Sequence, residues 1–524
     1  MLPPSSLEIA KQTLLILVPE LLILLVATVM MTAGAFVRLP RRLWCGIAAG
    51  TMLAALLILF GLRNQTIDLY SAIALNDAFS YHSRVVLLLA GFIVLALAHD
   101  QVDDARAPEF FGALLMINAG SMLVAASNEL IFLFVGLELV SMPTYLLLYL
   151  SRRNASTQEA ATKYFFLSLF SSALLLYGLA FLYGLTGVSN LKALAYIAQN
   201  AGTVLSPNLM LIALVFVMAG LGFRVAAVPF HFYAPDVYQG SPTVITAMLA
   251  WVPKAIGFLA MARVLSSIVS AGGPGSITIE RAVALGWIMA VATMTLGNTV
   301  ALLQDNLKRL LAYSSIAHAG YLLVGMTVAF TNTSGTNPAF FGLQGVLLYL
   351  VAYALMTLGA FGVIIALSTP ERPVENVNDL SGLAQSHPVI ALAMAVCLFS
   401  LAGIPPLAGF YGKFAIFMSV LGAATGASSS MLWWLAVIGM LNAAVGAYYY
   451  LRIVVLMYLR PAPSTPINHR IAWPTLVAVG ACAVLSLVLG LLPARLVRAT
   501  REASVASMDL PEPGATPIAL VKGR

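Results

Sequence analysis

Residues 214–238 read LVFVMAGLGFRVAAVPFHFYAPDVY, an apolar run that carries one arginine and is interrupted at Pro229 and Pro235. Residues 395–420 read AVCLFSLAGIPPLAGFYGKFAIFMSV, apolar again, interrupted at Gly403, Pro405, Pro406 and Gly409, and carrying Lys413. A proline inside a helix removes a backbone donor and clashes with the preceding turn, so both stretches predict a broken helix. Hydrocarbon tolerates such a break only where neighbours or a polar cavity satisfy the freed groups. Two Pro/Gly-interrupted spans in corresponding positions are the sequence mark of paired structural repeats with ion sites between them. A pair of kinked helices without transport function is the plainer alternative.

Outward from these two stretches, apolar runs of about 20 residues recur from end to end, the length that crosses about 30 Å of hydrocarbon. Fourteen can be counted, from 13–33 to 471–493, each closed by charges, Gly or Pro. The runs lack strand alternation, so the sequence predicts an all-α polytopic membrane protein rather than a β-barrel. Of the 524 residues 61% are hydrophobic and only 9% charged, too little charge to cover a soluble exterior. The longest polar stretch is the C-terminal tail, which leaves no room for a soluble catalytic domain. The run from Leu14 leads to no small-residue cleavage site and reads as a first retained span. Ser156 and Glu159 form an S-x-x-E capping pattern that predicts a helix start there. Cys45, Cys397 and Cys482 each lie in an apolar run without a CxxC partner and read as packing residues.

The formal charge of +7 is read as loop orientation rather than nucleic-acid binding. Loops after odd-numbered spans hold Arg38, Arg41, Arg42, Arg106, Arg152, Arg153, Lys308, Arg309, Arg372, Arg460 and Arg470. The other side holds Lys11, Arg63, Arg84, Lys192 and Arg281, apart from the tail. The richer side is expected to face the cytoplasm. The tail, with Arg495, Arg498, Arg501, Lys522 and Arg524, then lies outside, against the charge rule.

Of twenty Asp and Glu residues only Glu138 falls at the centre of a span, while Glu20 lies nearer an end. Lys163, Arg224, Lys254, Arg263, Lys413 and Arg452 also fall inside spans. A charge at the bilayer centre costs about 2.5–3.5 kcal/mol or more, so each needs a partner, a wet cavity or a route to the surface. Lys254 lies too deep to snorkel, and Lys413 follows the second break by two turns. Lys163 sits near the start of its helix, where snorkelling competes with function. Arg263 and Arg452 lie nearer span ends and are expected to snorkel. His318 is suited to relaying protons near neutral pH, or to bonding a carbonyl. His231, beside the first break, reads as a structural hydrogen-bonder. One carboxylate, several lysines and a histidine strung through a helical bundle amount to a proton or cation relay. No phosphate loop, haem ligand pair, iron–sulfur cysteine set or dinucleotide fingerprint competes with that reading.

The segment VPFHFYAPDVYQGSPT, residues 228–243, resembles the signature of subunit N of the proton-pumping NADH:quinone oxidoreductase, bacterial complex I. EAATKYFFL (159–167) and LKRLLAYSSIAHAGYLL (307–323) are similar to two further motifs of that antiporter-like family. GIPPLAGF (403–410) is shared with sister antiporter-like subunits and with Mrp-type cation/proton antiporters. The resemblance implies two inverted five-helix repeats, each with a broken helix. Residues 1–107 would form an N-terminal three-helix segment, 108–270 the first repeat and 281–460 the second. Residues 461–524 would form the last span and the tail.

The resemblance also implies proton translocation through Glu138, Lys163, Arg224, Lys254, His318 and Lys413, with no cofactor in this chain. NAD, FMN, iron–sulfur clusters and quinone would belong to partner subunits, and quinone would concern this chain only indirectly. Expected partners are other membrane subunits, sister antiporter-like ones included, and the lipid of a bacterial plasma membrane, with no nucleic acid. Arg224 departs from the lysine usual at its position in the family. Arginine stays charged where lysine trades its proton, so Arg224 is expected to be a fixed counter-ion of Glu138. A subunit of an Mrp-type antiporter and a non-pumping structural subunit are the alternatives.

Overall fold

Helices are the only extended regular elements among the described residues, alongside three isolated β-bridges. The structure, a computed structural model, describes residues 6–63, 65, 69–151, 155–200, 206–269, 277–331, 341–369, 373–423, 429–461 and 471–508. Arg152, Arg153, Arg372, Arg470, Lys522 and Arg524 lie outside them. Twelve helices are long and apolar enough to cross a membrane, and the bent pair Leu7–Ile16 and Val18–Gly34 makes a thirteenth span. The short apolar helices Pro388–Ala402 and Ala408–Ala423 supply the fourteenth as two halves.

One order of elements occurs twice. Ala107–Ala126, Leu130–Ser151 and Ala155–Thr186 precede the broken span Pro207–Arg224 with Ala234–Gly240, and Thr243–Val269 follows. Ile277–Ala301, Leu307–Ala329 and Gly342–Leu367 precede the broken pair Pro388–Ala402 and Ala408–Ala423, and Ser429–Leu459 follows. Five crossings deliver the chain to the opposite face, so the second set runs inverted relative to the first. Lipid tails offer helices no hydrophobic drive to associate, and close approach through small residues takes its place. A Cβ on Gly297 would lie 2.6 Å from the Ala317 nitrogen, and one on Gly320 2.6 Å from that of Met294. Thr243–Val269, Leu307–Ala329 and Gly342–Leu367 are almost wholly enclosed by the other helices.

Both expected breaks are present. Pro207–Arg224 ends at Arg224, Ala226 takes a left-handed φ of 57°, and Val228–Pro229 is cis. Pro235 corrects the expectation, since it lies in the first turn of Ala234–Gly240 and opens a helix instead of breaking one. A missing N–H there is one the helix start leaves unbonded in any case. In the second break Gly403 has φ 87° and Pro405–Pro406 is cis. Gly409 is not part of that break. It lies inside Ala408–Ala423, and its missing Cβ would stand 1.9 Å from the Ser400 carbonyl oxygen.

The first span differs more from its expected form, because it bends by 66° at Leu17. Arg84, expected in a loop, lies fully buried inside Ala78–Ala98 and forks onto Glu20, Nε to Oε1 and Nη2 to Oε2 both at 2.6 Å. Its Nη2 also donates to the Ile16 carbonyl at the bend, at 2.9 Å. Lys192 is likewise buried, in Leu191–Asn200, a helix the sequence reading did not foresee. Arg263 does not snorkel: it is buried and grips both oxygens of Asp77, at 2.7 and 2.8 Å. Arg452 reaches Asp305 at 2.6 Å, with its side chain about a third exposed. The helix after residue 151 is already formed at Ala155, and Glu159 pairs with Lys163 at 2.7 Å instead of serving only a cap. Part of the polar tail forms the helix Ala494–Met508, which is tied to the bundle by Lys192 and Gln344.

Candidate functional site

The first half-helix of each broken span ends against a cation. A helix C-terminus carries a partial negative charge from its unpaired carbonyls, which favours a cation there. Lys413, two turns beyond the second break, folds back to donate to Leu401 O at 2.9 Å and Ala402 O at 3.0 Å. Arg224, the last residue of its half-helix, reaches across to the Leu130–Ser151 helix. It donates to Glu138 at 2.9 Å, Ser141 Oγ at 2.7 Å, Ser172 Oγ at 3.2 Å and Leu137 O at 3.3 Å. Ser172 also donates to Glu138 at 2.6 Å. Arg224 is buried, while the Glu138 side chain keeps 19% of its exposure.

Lys254 occupies the centre of the enclosed Thr243–Val269 helix. Pro253 just before it has no N–H for the Leu249 carbonyl, and Tyr238 OH donates to that carbonyl instead, at 3.3 Å. Lys254 Nζ bonds the carbonyl and hydroxyl of Ser315 and stands 5.0 Å from the centre of the Tyr353 ring. Tyr353 OH donates to Ser315 Oγ at 2.8 Å, and Tyr238 OH lies 3.3 Å from the same atom. One turn along from Ser315, His318 contacts Tyr349 OH through Nδ1 and Tyr450 OH through Nε2, at 2.5 and 2.9 Å. Tyr349 packs against Gly412, where a Cβ would sit 2.1 Å from its ring, and so reaches the residue next to Lys413. Lys413 Nζ stands 5.0 Å from the centre of the Tyr321 ring.

The hydroxyls of Ser315 and Tyr353 thus surround Lys254 and those of Tyr349 and Tyr450 hold His318, while Lys413 bonds two carbonyls and faces the Tyr321 ring. Neither lysine pairs with a carboxylate among the described residues. Such an ammonium can hold or hand over a proton without breaking an ion pair. The Glu138–Arg224 pair adjoins this line through packing: a Cβ on Gly257, one turn beyond Lys254, would lie 3.4 Å from Arg224 Cβ.

Lys163 stands apart from the buried line. Its side chain is 39% exposed and bridges Glu159 and Asp236, both at 2.7 Å. Asp236 also accepts from Arg309 at 2.8 Å, so one carboxylate links the Ala155–Thr186 and Leu307–Ala329 helices. The tyrosines escaped the sequence reading, although Tyr349 and Tyr353 stand four apart on one face of their helix, a spacing that marks a shared stripe. Among the described residues no His, Cys, Asp and Glu group is placed to hold a metal ion.

The family profile for the transmembrane part of NADH:quinone oxidoreductases and Mrp antiporters matches residues 127–446. A NADH-quinone oxidoreductase subunit N from Trichlorobacter lovleyi is 39% identical over 440 residues, 84% of this chain and 86% of that one. This chain belongs to the subunit N family. A chain of respiratory complex I from Thermus thermophilus, solved with bound aureothin, is 32% identical with a TM-score of 0.74. That likeness covers 91% of this chain and 99% of the Thermus chain. A chain of the Mrp complex from Dietzia superposes at a TM-score of 0.79 with 21% identity, over 96% of this chain and 98% of the other, which shows the fold alone. The subunit N family is one of integral membrane proteins with antiporter-like architecture, as the spans of this chain require.

Proposed function

We propose that the chain is a non-redox, proton-translocating subunit of a respiratory NADH:quinone oxidoreductase. The supporting observation is the burial of Lys254, His318 and Lys413 in one enclosed bundle, with hydroxyls at Lys254 and His318 and no carboxylate paired with either lysine among the described residues. Protons would move between the lysines through Ser315, Tyr353, His318 and Tyr349. Each of these side chains can accept one proton while releasing another. Arg224 would hold Glu138 ionised as a fixed counter-ion, because a guanidinium keeps its charge below about pH 12. Lys163 would act at the rim with Asp236 and not inside the relay. Quinone reduction, with NAD, FMN and iron–sulfur clusters, would take place in partner subunits, sister antiporter-like chains being among the membrane neighbours.

The test compares electron transfer with proton pumping in vesicles carrying the assembled complex, wild type against Lys254→Ala and Glu138→Gln. Electron transfer is expected to persist in part while pumping per electron falls at least several-fold. Pumping at the wild-type ratio in both variants would make the buried charges structural and overturn the assignment.

A further inference from the structure

We propose that Asn298 is the closed end of this relay, an amide that stops protons passing between the buried tyrosines and the membrane face bearing the basic loops. The inference rests on the relay reading above. His318 does not only face the two lysines. Through Tyr450 OH at 2.9 Å it joins a side branch, in which Tyr449 OH lies 3.4 Å from Tyr450 OH and donates to Asn298 Oδ1 at 3.0 Å. Asn298 lies one turn from the end of Ile277–Ala301, about 5 Å at 1.5 Å per residue. Just past that end stands exposed Asp305, held by Arg452 at 2.6 Å. The branch therefore runs from the centre of the bundle to within about one turn of the helix end, and an amide closes it.

The chemistry changes at that step. Hydroxyls and the imidazole have a transferable proton and a free lone pair, so a proton can pass along them. A primary amide stays neutral and donates and accepts through different atoms, so it orients neighbours without relaying protons. The Asn298 amide is fully engaged: its two Nδ2 hydrogens are shared among Met294 O at 3.0 Å, Tyr321 OH at 3.1 Å and Asn442 Oδ1 at 3.2 Å. Asn442 is a second buried amide behind it, bonded to Ile438 O at 3.0 Å. Gly446 packs closely on the oxygen side, where a Cβ would lie 3.0 Å from Asn298 Oδ1. A relay open to both faces at once would dissipate the gradient it builds, and the amide keeps this end shut.

The test is the decay of an imposed pH gradient across vesicles carrying the assembled complex, with no electron donor present. Asn298→Asp keeps the shape and adds a titratable carboxylate. One oxygen takes a proton from water on the Asp305 side, the other releases one toward Tyr449, and one proton moves with no group changed. This variant is expected to speed the decay several-fold, whereas Asn298→Leu leaves it at the wild-type rate. Asn298→Ser, which supplies a hydroxyl, is expected to leak as well and serves if the acidic variant does not assemble. A wild-type rate in both polar variants, or an equal leak through Asn298→Leu, would overturn the proposal. If no leak is found while Lys254→Ala still abolishes pumping, the closed end is wrong and the relay stands. If Lys254→Ala pumps normally, the relay reading fails on its own account.

Discussion

Glu138 and Arg224 are 86 positions apart in the chain and 2.9 Å apart in space. Arg224 is bonded by a carboxylate, two serine hydroxyls and a carbonyl, an arrangement suited to holding a guanidinium still. Removing one partner of a buried pair costs about 3–5 kcal/mol, because the other charge is left without compensation. Arg224→Gln is therefore expected to lower the thermal midpoint of the complex and to suppress pumping. Arg224→Lys keeps a cation within reach of Glu138 and is expected to preserve coupled pumping, measured as protons moved per electron in vesicles. Complete loss in the lysine variant would show that the fork itself is needed. At this scale the charges were legible in the sequence, because an ionisable residue in an apolar run has few cheap explanations. The pairings were not, since they join distant spans. The tyrosines were invisible for another reason: their rings read as packing, and only their neighbours show what the hydroxyls do.

The broken helices show what a sequence can and cannot say about an element. Pro229, Pro405 and Pro406 announced breaks by removing donors, and the breaks lie where they stand. Gly403 and Gly409 looked alike in sequence yet do different things. Gly403 supplies a left-handed turn that costs other residues about 1–2 kcal/mol. Gly409 supplies closeness, letting the second half-helix start against the Ser400 carbonyl. Gly403→Ala is expected to lower stability by about that amount and to disturb Lys413, whose Cδ would stand 3.0 Å from the new methyl. Gly409→Ala has no flexible side chain to push aside, only backbone, and is expected to reduce assembly more severely. Thermal unfolding of the purified complex, with its yield, would rank the two, and an unaffected Gly409→Ala variant would contradict the close approach. The bend at Leu17 had no such herald. Pro19 stands in the first turn of the second piece, where proline is compatible with a helix, and the bend instead coincides with the carbonyl that Arg84 takes at Ile16.

Across the whole molecule, two arginine forks buried among apolar side chains fasten the N-terminal helices, one to the first repeat and one to each other. Arg263 of Thr243–Val269 takes Asp77 at the start of Ala78–Ala98, and also the Ala125 carbonyl at 2.8 Å. Arg84 takes Glu20 within the N-terminal segment and shares the bend of the first span. Neither fork bonds Lys254 or Lys413, which assigns both to architecture in the proposed scheme. This separates them from Glu138–Arg224, although all three are arginine–carboxylate pairs in membrane helices. The distinction predicts opposite outcomes. A buried pair removed together is often nearly neutral, whereas one partner removed alone leaves a bare charge. Glu20→Gln or Arg84→Met alone is expected to destabilise the complex by about 3–5 kcal/mol, and the double variant by much less. In the double variant pumping per electron should match wild type. The same double replacement at Glu138 and Arg224 should restore stability but not pumping. Thermal midpoints and proton-to-electron ratios on the four single and two double variants would decide it, and a pumping defect in the Glu20–Arg84 double variant would place that pair inside the transport machinery.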